Sequence, residues 1–154
     1  MADQKISELT AATSGASADL LHVVQGGTNK KLTVQNLLEN IAGNLKVAGY
    51  VAVNGTPESL AASGSTAAVS VTSSVTHIAS SAATIGVNAL TLADGVQGQI
   101  KIITMTADVG DVQVDPANFA NGASITFNDV GDTVTLLFTN SNWVLLANTG
   151  TTIA

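Results

Sequence analysis

The feature that most constrains the fold is a series of short apolar segments, separated by polar turns, in the second half of the chain. In the clearest segment, Asp132 to Thr139, the apolar residues Val134, Leu136 and Phe138 alternate with polar ones for most of its length. A period of two places these apolar side chains on one face of a β-strand. Similar segments recur about every 8–12 residues, among them 84–87 and 99–105, which is typical of sandwiches and barrels. The segments Asp94-Gly95 and Asn140-Ser141-Asn142 are predicted turns between strands.

Composition supports a β protein and excludes several classes of function. Only 10% of the 154 residues are charged and 45% are hydrophobic, and the chain has neither Cys nor Arg. Without Cys there is no disulfide, thiolate zinc site or Cys nucleophile. The net charge of −6 argues against nucleic-acid binding. No segment has the roughly 18 apolar residues of a membrane helix, and we expect neither a membrane anchor nor a signal peptide.

Charge and composition divide the chain into three predicted segments. Residues 1–46 carry four lysines and four carboxylates and form a short αβ arm. Residues 47–65 are rich in Gly, Ser, Ala and Thr, which suits a linker. Residues 66–154 form the β module, an antiparallel β-sandwich, a jelly-roll-like fold or a barrel. The whole net charge lies after residue 46, where Lys101 is the only basic residue among seven carboxylates.

The arm is predicted to contain a hairpin and a short helix. A turn at 26–29, Gly-Gly-Thr-Asn, separates an apolar strand that begins at Leu20 from a returning strand that reaches Thr33. Thr33 is a suitable N-cap for the helix that follows, and Gly43 a suitable end. So small an arm offers few partners for its apolar side chains, and we expect them to dock on another surface.

The search for a catalytic site returns no motif. The sequence contains no phosphate loop, nucleophile elbow, zinc-protease motif or dinucleotide fingerprint. His22 and His77 are interpreted as structural or surface residues. We therefore predict a non-enzymatic protein with no catalytic residue, cofactor or resident metal.

The carboxylates favour turns over ligand sites. Asp-Val-Gly-Asp occurs at 108–111 and again at 129–132, both times between apolar strands. Asp bonds readily to nearby backbone and Gly adopts positive φ, so a recurring turn explains both copies. Calcium binding by these Asp-rich loops stays an open alternative, although they lack EF-hand spacing.

The lone tryptophan has two readings. Trp143 follows the Val134–Phe138 strand, where it is favoured as a core or interface anchor. The alternative is a sugar-stacking residue at a glycan site.

Two parts of the chain resemble virion proteins of tailed bacteriophages. The segments 5–13 (Lys-Ile-Ser-Glu-Leu-Thr-Ala-Ala-Thr) and 19–34 (Asp-Leu-Leu-His-Val-Val-Gln-Gly-Gly, then Thr-Asn-Lys-Lys-Leu-Thr-Val) are similar to the N-terminal segment of tail-fibre, head-fibre and capsid decoration proteins. Residues 92–101 and 131–138, followed by Trp143-Val144, resemble the closing β domain of trimeric fibre and decoration proteins.

The resemblance implies a structural role on the phage particle. Because the sequence is short and shows no fibre shaft, the resemblance favours a capsid decoration (cement) protein over a complete tail fibre. Such a protein is expected to be made in the host cytoplasm, not secreted, and to bind the outer surface of the major capsid protein lattice as a homotrimer. The alternative is a short tail-fibre or head-fibre adhesin that binds a host receptor or glycan. The implied capsid-contact candidates are Leu20, Leu21, Val23, Val24, Leu37, Leu38 and Ile41. The trimer-packing candidates are Phe138, Trp143 and Leu145, for which an ordinary core is the alternative.

Overall fold

The computed structural model describes residues 20–34, 57–62, 67–81 and 89–154. The chain divides into two compact units, Met1–Val51 and Ala52–Ala154. The boundary falls inside the range predicted as the linker. The helix predicted to contain Leu37, Leu38 and Ile41 lies outside the described residues, as does a strand predicted at 84–87.

The first unit contains a two-stranded antiparallel sheet. Strand β1 (Leu20–Gln25) pairs with β2 (Thr28–Thr33), and Leu21 lies opposite Leu32. Gly26 and Gly27 connect them with φ of 60° and 76°. A side chain at either position would be strained in this left-handed region, which explains why the turn uses two glycines.

The described part of the second unit forms two five-stranded sheets. One has the order β11-β10-β7-β5-β3 and the other β12-β9-β8-β6-β4. The strands are β3 (Glu58–Ala62), β4 (Ala67–Val69), β5 (Val75–Ser80), β6 (Ala89–Leu92), β7 (Ile100–Ala107), β8 (Val112–Pro116), β9 (Ile125–Phe127), β10 (Thr133–Thr139), β11 (Asn142–Thr149) and β12 (Thr152–Ile153).

From β3 to β8 the chain alternates between the two sheets. Strands β3, β5 and β7 are parallel neighbours in one sheet, and β4, β6 and β8 are parallel neighbours in the other. Each parallel pair is therefore connected through a strand of the opposite sheet, as in a two-sheet solenoid. The remaining strands, β9 to β12, add antiparallel pairs to both sheets.

This topology corrects the predicted fold class. The protein is mainly β, as predicted, but its sheets are mixed rather than antiparallel, and they do not close into a barrel. Alternation of apolar and polar residues shows that a strand has a buried face, but it carries no information on the direction of the neighbouring strand. The sequence pattern therefore identified most of the described strands of this unit and gave the wrong direction for several of their pairings.

Strand β3 lies in the range that was predicted to be linker. Its sequence, Glu-Ser-Leu-Ala-Ala, has a single large apolar residue and no strong β-forming pattern. It is a strand because five of its residues pair in parallel register with β5. Tertiary pairing, rather than local propensity, thus decides its structure.

The core lies between the two sheets. Its buried residues come from both, and they include Ile78 and Ile103 of one sheet and Leu90 and Val114 of the other. In β10 the residues Val134, Leu136 and Phe138 are buried as the alternation predicts.

Candidate functional site

Two of the three candidates for trimer packing lie in the core of their own chain. Trp143 is 0% exposed and Phe138 is 7% exposed. Their rings make an edge-to-face contact, with centroids 5.1 Å apart and planes at 68°, and Trp143 Nε1 donates a hydrogen bond to the Ala93 carbonyl at 2.9 Å. Leu145 is half-buried against the same core. Leu145 alone of the three therefore retains a substantial side-chain surface.

Burial of Trp143 also argues against the alternative in which its ring stacks on a sugar. A sugar-stacking residue must offer one face of its ring to solvent, and Trp143 offers none. Gly95 packs so closely on it that an added Cβ would lie 2.8 Å from the ring. The indole thus supports the turn between β6 and β7 instead of binding a ligand.

The hairpin candidates for capsid contact are exposed where the structure describes their side chains. Leu20 is 56% exposed and Leu21 is 40% exposed. Val23 and Val24 lie on the same strand, but their side chains are outside the description, as are Leu37, Leu38 and Ile41. Exposed leucines on a two-stranded sheet are suitable for docking on another surface.

A groove of about 690 Å³ lies where two turns of the second unit meet. Its walls are Val71, Thr72 and Ser74, from the turn between β4 and β5, and residues 94–100 and Ile102, from the turn between β6 and β7 and the start of β7. Val96 is 72% exposed and Ile100 is 49% exposed. Local sequence signals predict a turn and a strand in this region and do not indicate a site.

The polar groups of the groove are held by hydrogen bonds. Both carboxylate oxygens of Asp94 accept from Asn118 Nδ2 at 2.9 Å. Gln99 accepts from the Val96 backbone N–H at 2.9 Å and donates to the Val71 carbonyl. Gln97 donates to Thr139 Oγ1 at 3.0 Å. These contacts fix the turn, and they leave a carboxylate beside exposed aliphatic side chains.

Lys101 is a fully buried basic residue of the second unit. Its side chain is 0% exposed, and its ammonium donates to the carbonyls of Ser70 and Ser73, at 2.8 and 2.6 Å, and to Thr76 Oγ1. A carboxylate oxygen of Glu58 lies 3.9 Å away. Burial lowers the pKa of Lys101, and the nearby Glu58 carboxylate opposes that shift.

Glu58 connects this lysine to the two parallel strands beside it. It accepts from the Ser70 backbone N–H at 3.0 and 3.1 Å and from Thr76 Oγ1 at 2.7 Å. The network thus joins β3, β5, β7 and the turn after β4. A single Lys between Ile100 and Ile102 in an otherwise acidic half was the sequence signal for it.

Because Lys101 is buried, the second unit presents acidic groups without basic ones. It is the only Lys or Arg after residue 46, whereas seven carboxylates lie in that part of the chain. The surface of the unit therefore has no ammonium or guanidinium group. Such a surface repels phosphate and attracts basic partners.

The two Asp-Val-Gly-Asp copies form neighbouring turns. Asn128 beside the second copy donates to Asp111 of the first at 3.1 Å. Asp132 accepts from the backbone N–H groups of Asn128 and Asp129 at 2.8 and 3.1 Å. Within the part of the chain that the structure describes, no three His, Cys, Asp or Glu side chains are placed to hold a metal ion. The hydrogen bonds of Asp132 therefore agree with the predicted role of this residue in a turn.

The remaining candidate features are His77 and helices that could cross a membrane. His77 is half-buried in β5. Among residues 20–34, 57–62, 67–81 and 89–154, no helix has the length and apolar character needed to cross a bilayer.

Comparison with known proteins leaves the resemblance to phage virion proteins as a hypothesis. No protein-family model matches the chain. No curated protein is significantly similar to it.

Proposed function

We propose that the protein is a non-enzymatic structural protein of a tailed-bacteriophage virion, a decoration protein that binds the outer surface of the capsid lattice as a homotrimer. The observation that carries the proposal is the similarity of segments 5–13 and 19–34 to the N-terminal segment of such proteins. Part of this similar region, Leu20–Thr33, is the hairpin that exposes Leu20 and Leu21.

The proposed division of labour follows the two units. The arm, with the hairpin as its described part, binds the major capsid protein. The sheets that share one core act as a sandwich-like module that takes part in the trimer and reinforces the shell. Two features support this assignment: the hairpin exposes Leu20 and Leu21, and the β unit contains a core of its own.

The mechanism requires no chemistry beyond binding. A protein that binds the assembled lattice, but not its separated subunits, stabilises the lattice by a free energy that grows with the logarithm of its concentration over its Kd. Three arms on one trimer add avidity, because the second and third contacts are intramolecular. A closed trimer also covers apolar surface that a weakly charged monomer leaves open to random association.

Capsid binding is tested by co-sedimentation of purified undecorated capsids with the full chain. We expect saturable binding, and we expect Leu21→Asp to weaken it at least tenfold, because burial of a carboxylate in an apolar contact is costly. The matched control is Leu146→Asp, since Leu146 is a leucine of similar exposure, 54%, in the β unit.

Two outcomes would contradict the proposal. One is the absence of capsid binding by the native protein. The other is tight binding to host cells or glycans without affinity for capsids, which would favour the fibre adhesin.

A further inference from the structure

The β1–β2 hairpin has a face that combines an aliphatic and a cationic side chain. Leu20 lies opposite Thr33, and Lys31 is two residues before Thr33 on the same strand. Leu20 and Lys31 therefore share one face as diagonal neighbours. Both side chains are exposed. Leu21 lies on the other face, so its contacts are independent of those of Leu20.

The groove of the second unit has the complementary chemistry. Val96 and Ile100 give it exposed aliphatic walls, and Asp94 places a carboxylate beside them. Its volume of about 690 Å³ lies within the roughly 300–1,000 Å³ of pockets that enclose drug-sized ligands. It is therefore large enough for a leucine and the aliphatic stem of a lysine.

The distribution of charge indicates that the segment that occupies the groove comes from another copy of the same chain. Four of the five basic residues lie in residues 1–46, and the fifth, Lys101, is buried. The described hairpin carries Lys30 and Lys31 and no carboxylate. A hairpin with exposed lysines and a unit whose surface has only carboxylates attract each other, and two such units repel each other.

We propose that the Leu20–Lys31 face of one copy docks in the groove of a neighbouring copy. Leu20 packs against Val96 and Ile100, and the Lys31 ammonium pairs with the Asp94 carboxylate. The contact is heterologous, since hairpin and groove are different surfaces, and such contacts close into a ring when the rotation between copies permits. The inference rests on the homotrimer of the proposed function and assigns its interface.

Charge exchange tests the pairing directly. Asp94→Lys and Lys31→Glu are each expected to weaken self-association at least tenfold, measured by sedimentation of the full chain over a concentration series. The double variant Asp94→Lys/Lys31→Glu restores an opposite-charge pair at every interface. We expect it to recover association to within about threefold of the native protein, and raised salt to weaken both.

The controls separate the contact from charge and folding effects. Asp129→Lys makes the same charge change at an exposed position, in a turn that bonds to Met105, toward the opposite end of β7 from the groove. Ile100→Ser removes a groove wall, and Val130→Ser does the same at an exposed valine of that turn. We expect the first serine variant to weaken association and the second to leave it unchanged. Thermal unfolding monitors the fold of each variant.

The possible failures are distinguishable. A trimer that tolerates both single charge variants would overturn this interface and leave the proposed function intact. A double variant that associates no better than the singles would overturn the pairing of Asp94 with Lys31. A native protein of single-chain mass, 15.4 kDa, would overturn the inference and the trimer, while capsid binding is measured separately by co-sedimentation.

Discussion

At the scale of single residues, Lys101 has the most unusual environment in the described structure. A lysine is rarely fully buried unless its ammonium is paired. Here three hydrogen bonds and the carboxylate of Glu58 surround it. The same contacts that compensate for its burial join three parallel strands, so its role is structural.

Replacing this lysine with methionine is expected to destabilise the protein. In Lys101→Met the carbonyls of Ser70 and Ser73 lose their donor and Glu58 loses its counter-charge. Removal of one partner from a buried pair costs about 3–5 kcal/mol. We expect a loss of about 3 kcal/mol in the free energy of unfolding, measured with denaturant, because Glu58 retains some contact with water.

A second variant and a control make this prediction specific. Lys101→Met/Glu58→Gln removes the unpaired charge as well, so it is expected to be more stable than the single variant. Lys31→Met deletes an exposed lysine and is expected to change the free energy of unfolding by no more than about 0.5 kcal/mol. Equal losses in the two single variants would refute a structural role for Lys101.

The lowered pKa of Lys101 predicts a pH dependence of known sign. Burial brings the pKa in the folded state below the ordinary 10.5, against the opposing effect of Glu58. Between the two values the unfolded chain binds more protons, so stability rises with pH, by at most about 1.4 kcal/mol per unit. We expect the difference in unfolding free energy between the native protein and Lys101→Met to widen toward pH 10.5. A constant or narrowing difference would show that the pKa is not lowered.

At the scale of elements, turns were the most predictable part of the fold. The turn predicted at Asn140-Ser141-Asn142 connects β10 and β11, and its residues Asn140 and Ser141 have φ of 50° and 62°. Asn adopts this left-handed region more readily than most residues, and such turns suit the twist of a hairpin. The local chemistry of a turn is sufficient to place it without any knowledge of its neighbours.

The two carboxylates of the second Asp-Val-Gly-Asp turn are expected to differ in their contribution to stability. Asp132 is buried and accepts two backbone hydrogen bonds, whereas Asp129 is exposed. Asp132→Ala leaves two N–H groups without their acceptor and is expected to cost about 2–3 kcal/mol. Asp129→Ala is expected to cost about 0.5 kcal/mol or less. Denaturant unfolding of both variants measures the difference, and equal costs would contradict the role of Asp132 as the turn's acceptor.

The pairing of strands was the least predictable part at this scale. Strand β10 follows its alternating pattern, and it pairs with β7 in the antiparallel direction. On its other side β7 pairs with β5 in the parallel direction, and the alternating pattern predicts neither direction. Parallel neighbours such as β5 and β7 are separated by β6 in the opposite sheet. Contacts so distant in sequence are set by how the core closes, and local propensity does not encode them.

The candidate groove illustrates the same limit. Asp94 and Gly95 were identified as a turn, and Ile100 as part of a strand, from local signals alone. The groove exists because that turn meets the residues from Val71 to Ser74, which precede it by about twenty positions. The two turns lie together because the strands that follow them, β5 and β7, are parallel neighbours in one sheet.

At the scale of the whole molecule, the second unit has a hydrophobic core of its own. Among the residues that the structure describes, those of the buried hydrophobic cluster and those packed against it lie between Leu60 and Ile153. A unit with its own core can fold without the rest of the chain. We therefore expect a chain of residues 52–154 to unfold cooperatively, with a midpoint close to that of the full chain.

Circular dichroism with thermal unfolding measures this directly. The same truncated chain lacks the hairpin, so it is expected to lose capsid binding and to sediment at the mass of a single chain. A truncated chain that is folded and still binds capsids would remove the arm from the proposed attachment. A full-length protein of about three times 15.4 kDa would agree with the proposed trimer.

The sequence by itself determined the strand-forming character of the chain, the turns, and the concentration of four of its five lysines in the first 46 positions. These properties depend on neighbours along the chain and on residue counts, so they are readable before folding. Tertiary structure decided which strands pair and in which direction, that Trp143 and Lys101 are buried, and that a groove forms at Asp94. Each of these depends on contacts between residues distant in sequence, whose free energy is realised only when both sheets close over one core.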